Sequence, residues 1–214
     1  MFDCTTSCCV LAYFVKFSTF WRAPLLMVTM PLPCFPLMNG LSKTFSGFIS
    51  TGLPSTLVFL SIDRRHVVHF NVTEHPTAAW TAQQVVEAFP WDSAPRYLLR
   101  DRDGIYGDWF RGRVKNMGIE EVLTAPHSPW QNPYSERING SIRRECLDWT
   151  IIFSEGHLRR ILKKYFEYYN RYRVHQFLEM DAPDGRKIQG TKEGNVIVIP
   201  HVGGLHHHYE RKAA

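Results

Sequence analysis

Hydrophobic and polar positions alternate along the chain in a way that predicts regular strands and helices from about residue 56 onwards. Runs rich in β-branched and aromatic residues predict strands at residues 56–62 and 65–72, with a polar connection that makes them a hairpin. Two shorter apolar runs predict further strands at residues 96–99 and 119–123. The second half of the chain has a different pattern.

Apolar residues recur there at three- and four-residue steps, which predicts amphipathic helices. The spacing indicates helices over residues 78–89, around 110–117, and over 134–148 and 158–172. The resulting order is strand, strand, helix, strand, helix, strand, helix, helix. This α/β order predicts a mixed sheet covered by helices on both faces.

The first 55 residues do not follow this order. They contain a single acidic residue, Asp3, and are rich in Phe, Pro, Cys and Leu, and no amphipathic helix or alternating strand emerges from them. We therefore divide the chain into residues 1–55, a core domain at 56–178 and a C-terminal tail at 179–214. A shifted reading frame or a misplaced start would produce such a beginning, and a genuine apolar extension is the alternative.

Composition narrows the class of protein. The 214 residues are 44% hydrophobic and 14% aromatic, as in globular domains, and the net charge of +5 with a pI near 9.0 fits a polyanionic partner. The five cysteines are odd in number and lack a C-x-x-C pair, which argues against a disulfide framework or a zinc site. Proline interrupts the apolar stretch at 23–38, so we expect no membrane span and a cytoplasmic, DNA-associated location. The histidine run at 206–208 is interpreted as an exposed polar tail.

Two acidic residues are the candidates for chemistry. Asp101 closes the apolar run YLLR, and Glu136 opens a basic helix, with a helix and a strand between them. That path returns the chain to the same edge of the sheet, so the two carboxylates can face each other there. Two facing carboxylates among arginines indicate a site for divalent-metal and phosphate chemistry. The alternatives are a turn aspartate in D-R-D-G and a helix-start glutamate favoured by the helix dipole.

Three segments of the sequence, FLSIDRRHVVHFNVT, RYLLRDRDGIYG and SPWQNPYSERINGSIRRECLD, together resemble one family. They are similar to the integrase core of bacterial insertion-sequence transposases and retroviral integrases, the DDE enzymes. The resemblance extends over roughly residues 57–189, and the closing GGLHHHYERKAA resembles the tail of one subgroup. It implies a ribonuclease-H-like fold and metal-dependent cleavage and joining of DNA strands, with two Mg²⁺ or Mn²⁺ ions.

In that family the metals are held by carboxylates from the first strand, the end of the fourth strand and a helix. The resemblance assigns the second position to Asp101 and the third to Glu136, both as catalytic metal ligands. It also implies contacts to transposon ends and target DNA from Gln131, Asn132, Tyr134, Arg137, Arg143 and Arg144. For Gln131 and Asn132, a turn or capping role is the open alternative.

The first carboxylate has no match in the sequence, because Asp63 falls between the second and third strands of the family order. We therefore expect the first catalytic strand to be missing or altered, and strand transfer to be absent or impaired. The alternative function is a non-catalytic DNA-binding remnant that interferes with an intact transposase. Homo-oligomers, or mixed oligomers with that transposase, would be the protein partners.

Overall fold

A five-stranded mixed sheet forms the centre of the molecule. The structure, a computed structural model, describes residues 9–15, 54–90, 93–126 and 129–213. The strands are β1 (Cys9–Val15), β2 (Ser55–Ser61), β3 (Val67–Thr73), β4 (Tyr97–Arg100) and β5 (Glu120–Leu123). Their order across the sheet is β3-β2-β1-β4-β5. The pairs β1–β2 and β2–β3 are antiparallel, whereas β1–β4 and β4–β5 are parallel.

The expectation that residues 1–55 contribute no strand is wrong, because the central strand of the sheet comes from this segment. Strand β1 occupies the central position, and its residues from Val10 to Tyr13 are at most 3% exposed. A central strand is buried on both faces, so its sequence is continuously apolar and shows no alternation of period two. The run CVLAYFV has that character. Asp3 and the apolar stretch at 23–38 lie outside the described residues.

Helices cover both faces of the sheet, as predicted. Helices α1 (Ala78–Ala88) and α2 (Asp108–Asn116) pack on one face, and α3 (Pro133–Glu145) and α4 (Glu155–Arg171) pack on the other. Helix α2 ends with Gly118 at φ +72°, where the Ile119 N–H donates to the carbonyl of Val114, a Schellman arrangement that favours glycine.

Each face has its own hydrophobic core. On the α1/α2 face the core is almost entirely apolar, and its largest buried side chains are Phe59, Leu57, Leu98, Tyr106 and Phe110. On the α3/α4 face the apolar side chains include Leu11, Leu60, Ile138, Ile142 and Leu162, and several tyrosines join them. The second core is therefore the one that contains buried hydroxyl groups.

A charged contact links the C-terminal ends of α3 and α4. Arg173 donates to both carboxylate oxygens of Glu145, at 2.7 and 2.6 Å, and the Tyr165 hydroxyl donates to the same carboxylate at 2.9 Å. Although burial opposes ionisation, the Arg173 and Tyr165 hydrogen bonds hold the pKa of Glu145 below its usual range. This bidentate pair fixes the chain that follows α4 against α3.

The C-terminal residues form a hairpin instead of an exposed tail. Strands β6 (Asn195–His201) and β7 (His206–Lys212) pair with each other and lie on α4. The rings of Tyr172 and His208 stack with centroids 3.7 Å apart, and those of Tyr168 and His206 at 4.4 Å. The interpretation of the histidine run as an exposed tail is therefore wrong for its first and third members. Alternation along β7 turns these two rings towards α4 and leaves the middle one exposed.

Two further expectations concern cysteines and membranes. Within the described ranges, Cys9 and Cys146 are free thiols, and Cys146 faces the core as its helical spacing predicted. None of the helices in those ranges has the length and apolar character needed to cross a bilayer.

Candidate active site

Asp101 lies directly after β4, and the side chain of the preceding residue, Arg100, holds the end of this strand in place. Arg100 is 4% exposed, donates through Nε to Glu121 on β5 at 2.6 Å, and donates to the Asp101 carbonyl at 2.9 Å. The Asp101 carboxylate is exposed and accepts the backbone N–H of Asp103 at 3.2 Å. The turn role left open by the sequence is thus present, and it uses only one of the two carboxylate oxygens.

Glu136 lies in the first turn of α3, an element whose start is well defined. Asn132 is the N-cap and accepts the Ser135 N–H at 3.3 Å, while Pro133 takes the first helical position. Glu136 itself is exposed. In the described part of the chain, neither Glu136 nor Asp101 has a basic side chain within ion-pair distance. Both carboxylates are thereby accessible to a ligand from solvent.

The register of the sheet places the central strand beside β4. Cys9 pairs with Tyr97 and Leu11 with Leu99, where the pairing of β1 with β4 ends, two residues before Asp101. Leu11, Tyr13 and Leu99 all belong to the core beneath α3 and α4. A shared cation between Asp101 and Glu136 stays a prediction.

On β1, the strand from which the resemblance would draw the first carboxylate, the polar side chain in the α3/α4 core is Tyr13. Its side chain is 3% exposed, and its hydroxyl has no hydrogen-bond partner among the described residues. Burial, and then the proximity of Tyr169 and Tyr106, raises the pKa of Tyr13 well above the usual value. A buried neutral phenol neither neutralises a divalent cation nor replaces the hard anionic oxygen that such a cation prefers.

The donor set does not fit the two-metal centre implied by the resemblance. In the described ranges, no three His, Cys, Asp or Glu side chains lie together in a way that could hold a metal ion. Strand β1, from which the first ligand would come, reads CVLAYFV and contains no acid. Among the described residues, Asp101 and Glu136 are then the two carboxylates left of the three that the resemblance implies, and two carboxylates position a pair of ions about 3.5–4 Å apart less well than three.

The residues assigned to DNA contact are only partly available for it. Asn132 is 7% exposed and occupied as the cap of α3, and the Gln131 amide oxygen accepts the Ala125 N–H at 2.7 Å. Arg143 is exposed but lies 3.4 Å from Asp148. Arg144 is exposed near the end of α3, and the exposed Arg137 has no acidic partner in the part of the chain described. Of the six, the two arginines without a partner are the best placed to meet phosphate.

A cavity beside α3 brings together residues that the sequence did not connect. Its volume is about 260 Å³, and Arg65, Tyr134, Arg137, Tyr169, His175 and Phe177 are among its lining residues. The Arg65 guanidinium lies 4.5 Å from the ring centre of Phe177 and 5.5 Å from that of Tyr134, and Arg137 lies 5.6 Å from Phe177. Arg65 comes from the β2–β3 turn, 72 residues before Arg137. Without the topology of the sheet, no local pattern could have joined them.

The sequence is similar to integrase-core and insertion-element sequences. Residues 117–183 match the family model described as integrase core domain. The chain is 38% identical over 116 residues to the uncharacterized 39.2 kDa protein of insertion element IS476 from Xanthomonas euvesicatoria. That alignment covers 52% of this chain and 32% of the relative, so the chain matches about a third of the relative's length.

Solved structures show the same fold at low sequence identity. The catalytic core domain of BIV integrase has a TM-score of 0.52 at 11% identity, covering 79% of this chain and 88% of that one. The HTLV-2 integrase catalytic core domain in complex with magnesium, in its trimeric form, has a TM-score of 0.51 at 11% identity, covering 85% and 93%. The fold is thus the ribonuclease-H-like fold of these integrase catalytic cores, and the fold prediction is confirmed. The sequence is similar to an integrase core domain over residues 117–183 and to the insertion-element protein over 116 residues, in agreement with the resemblance that the three sequence segments indicated.

Proposed function

We propose that this chain is an integrase core that binds DNA but performs little or no strand cleavage and transfer. The observation that carries this proposal is the central strand β1, whose sequence CVLAYFV contains no carboxylate and places the buried Tyr13 in the α3/α4 core. Positioning and charge neutralisation supply most of the rate in phosphoryl transfer, so a site without its first carboxylate loses the main source of catalysis.

DNA binding rests on different residues from catalysis. The net charge of +5 and the exposed arginines on α3 give the surface beside Glu136 a positive character. Such side chains bind the phosphate backbone without reading its sequence, and they do so independently of metal. Asp101 and Glu136 remain as two accessible acids in the described part of the chain, and Mg²⁺ or Mn²⁺ would bind weakly to these two.

The test measures binding and cleavage on the same protein. The purified full chain is mixed with labelled duplex DNA, and binding is followed by anisotropy at rising salt. Nicking is assayed on supercoiled plasmid with Mg²⁺, Mn²⁺ or EDTA. We expect binding that weakens steeply with salt, unchanged in Asp101→Asn, and no nicking above the EDTA control.

Two outcomes would overturn the proposal. Metal-dependent nicking that disappears in Asp101→Asn would establish an active enzyme. Absence of salt-dependent DNA binding by the folded wild-type chain would remove the binding function. Interference with an intact transposase is the narrower alternative, and it predicts mixed oligomers when the two proteins are mixed and separated by size.

A further inference from the structure

We propose that the cavity beside α3 binds a single nucleotide of unpaired DNA, its phosphate held by Arg65 and Arg137 and its base stacked on Phe177 or Tyr134. The inference rests on the proposed DNA binding and names a specific subsite for it. It concerns neither Asp101 nor Glu136, so it stands independently of any metal.

Unbalanced positive charge is the first argument. Arg64 pairs with Asp181 at 3.0 Å and Arg173 with Glu145 at 2.6 Å, whereas Arg65 and Arg137 have no acidic partner among the described residues. Both of their guanidinium groups lie against the same ring, Phe177. Two guanidinium groups converging on a half-enclosed space form a site that a phosphate oxygen would complete.

The positive charges of these arginines also affect the neighbouring His175. Burial, and after it the positive charges of Arg173 and Arg65, lower the pKa of His175 to about 4, with Arg137 acting in the same direction and Glu145 opposing. The ring of His175 is 6% exposed and lines the same cavity. Of the three arginines that act on this ring, Arg173 is balanced by Glu145, whereas Arg65 and Arg137 add positive charge that has no acidic partner among the described residues.

The third argument is the aromatic lining. Phe177 is 70% exposed, and Tyr134 is half-buried, so each offers ring surface to the cavity. Nucleobases stack on such rings with little dependence on sequence. The volume of about 260 Å³ lies just below the roughly 300–1,000 Å³ of ordinary small-molecule pockets, which suits one nucleotide and excludes a longer stretch.

The backbone of Arg65 supplies a fourth argument. Its φ is +59°, in the left-handed region that arginine rarely adopts, and its guanidinium lies over the rings of Phe177 and Tyr134. Strained conformations of this kind are retained where the position of a side chain matters, and they cluster at ligand sites.

The experiment uses thymidine 5′-monophosphate, inorganic phosphate, thymidine and the oligonucleotide (dT)₆ as probes of the full chain. The test variant is Arg65→Gln with Arg137→Gln. The matched control is Arg111→Gln with Arg113→Gln, which removes the same charge from two exposed positions of α2 on the other face of the sheet. Phe177→Leu tests stacking at an exposed position. Affinities are measured by calorimetry, and the His175 ring is titrated by NMR.

We expect the arginine double variant to bind (dT)₆ and the monophosphate with an affinity lower by about tenfold or more. Phe177→Leu should lower these affinities by about tenfold, and the control variant should lower them by less than about twofold. The bound monophosphate should raise the pKa of His175 in the wild type, because its charge offsets the guanidinium groups. Thymidine and inorganic phosphate should each bind more weakly than the monophosphate.

Equal affinities of (dT)₆ for the wild type and the arginine variant would overturn the inference, even if duplex DNA still binds and the proposed function stands. Equal binding of inorganic phosphate and the monophosphate, unaffected by Phe177→Leu, would reject the nucleotide site. A wild type that binds neither duplex nor (dT)₆ would reject the proposed function as well.

Discussion

The two faces of the sheet are built in different ways. Beneath α1 and α2 the core is closed by apolar side chains and aromatic contacts, such as the edge-to-face pair of Phe59 and Phe89 at 5.7 Å. On the α3/α4 side lie a partly buried ion pair, a cavity, and a buried phenol, Tyr13, that has no hydrogen-bond partner among the described residues. The first face is a closed apolar core, whereas the second also contains the polar groups and the cavity for which binding is proposed.

This contrast separates what the sheet needs from what the proposed site would need. The sheet accepts a continuously apolar, β-prone segment as its central strand, because such a segment satisfies the packing on both sides. A metal site would need one particular side chain on one face of that strand, and CVLAYFV contains no acidic residue. We therefore expect the fold and the proposed catalysis to respond differently to the sequence of this strand.

The largest expected effect comes from placing a carboxylate on the α3/α4 face. Tyr13→Asp and its uncharged counterpart Tyr13→Asn should each lower the free energy of unfolding by about 4 kcal/mol in EDTA, because a buried ring is lost. Mn²⁺ should raise the free energy of unfolding of the aspartate variant alone by about 2–3 kcal/mol, if the Kd for Mn²⁺ is about one hundredth of the Mn²⁺ concentration used. Urea unfolding monitored by circular dichroism, with and without Mn²⁺, measures both.

An equal response of the two Tyr13 variants to Mn²⁺ would contradict the position assigned to this residue. A Mn²⁺ response of the same size in the wild type would contradict the incomplete donor set. If the aspartate variant is unfolded in EDTA, the appearance of helical signal on addition of Mn²⁺ is the equivalent measurement.

The next effect concerns the ion pair that joins α3 to the segment after α4. Glu145→Gln should reduce the free energy of unfolding by about 2–3 kcal/mol. This is less than the loss of about 3–5 kcal/mol expected when a fully buried pair is broken, because the Glu145 and Arg173 side chains remain 27% and 23% exposed. The same substitution on the other face, Glu87→Gln, should change it by less than about 0.5 kcal/mol. Equal losses in the two variants would remove the distinction between the faces.

Acid stability should also distinguish the two faces, through His175. The pKa of His175 is about 4 in the folded state, below its usual value of 6.5, so folding favours the neutral ring. The stability that the neutral His175 ring contributes to the folded state is present above pH 6.5 and is lost as the pH falls towards 4. Between pH 7 and 5 the wild type should lose about 2 kcal/mol more than His175→Asn. Denaturation curves that run parallel for the two proteins over this interval would count against the cluster of guanidinium groups around the ring.

Much of the fold could be predicted from the sequence because its helices are amphipathic and its outer elements have clear boundaries. Helix α4 shows this: its buried residues Leu158, Leu162 and Tyr169 have the predicted spacing. Its start was placed three residues too late, since Glu155, Gly156 and His157 give no apolar signal. The true start is set by Ser154, whose side chain accepts the His157 N–H.

The candidate site was less predictable, because its residues meet through topology. Asp101 and Glu136 could be proposed from local motifs, but the central position of β1, which brings Tyr13 into the α3/α4 core, is known only from the pairing of β1 with β2 and β4. Strand β1 itself was missed since its buried sequence lacks alternation. The pairing of His206 with Tyr168 requires a hairpin to fold back on α4, which no local pattern records.

The smallest effect tests the Tyr13 hydroxyl against a hydroxyl of the same core that has a partner. Tyr13→Phe removes a buried hydroxyl that makes no hydrogen bond in the described residues, and should raise the free energy of unfolding by about 1 kcal/mol. Tyr165→Phe removes the 2.9 Å hydrogen bond to the Glu145 carboxylate and should lower it by about 1.5–3 kcal/mol. Both changes delete one oxygen from a ring at most 3% exposed, so packing is matched. Chemical denaturation gives the two values, and the opposite signs are the decisive feature. A loss of stability in Tyr13→Phe comparable to that in Tyr165→Phe would mean that the Tyr13 hydroxyl has a partner, such as a bound water, and that this position still has a polar role.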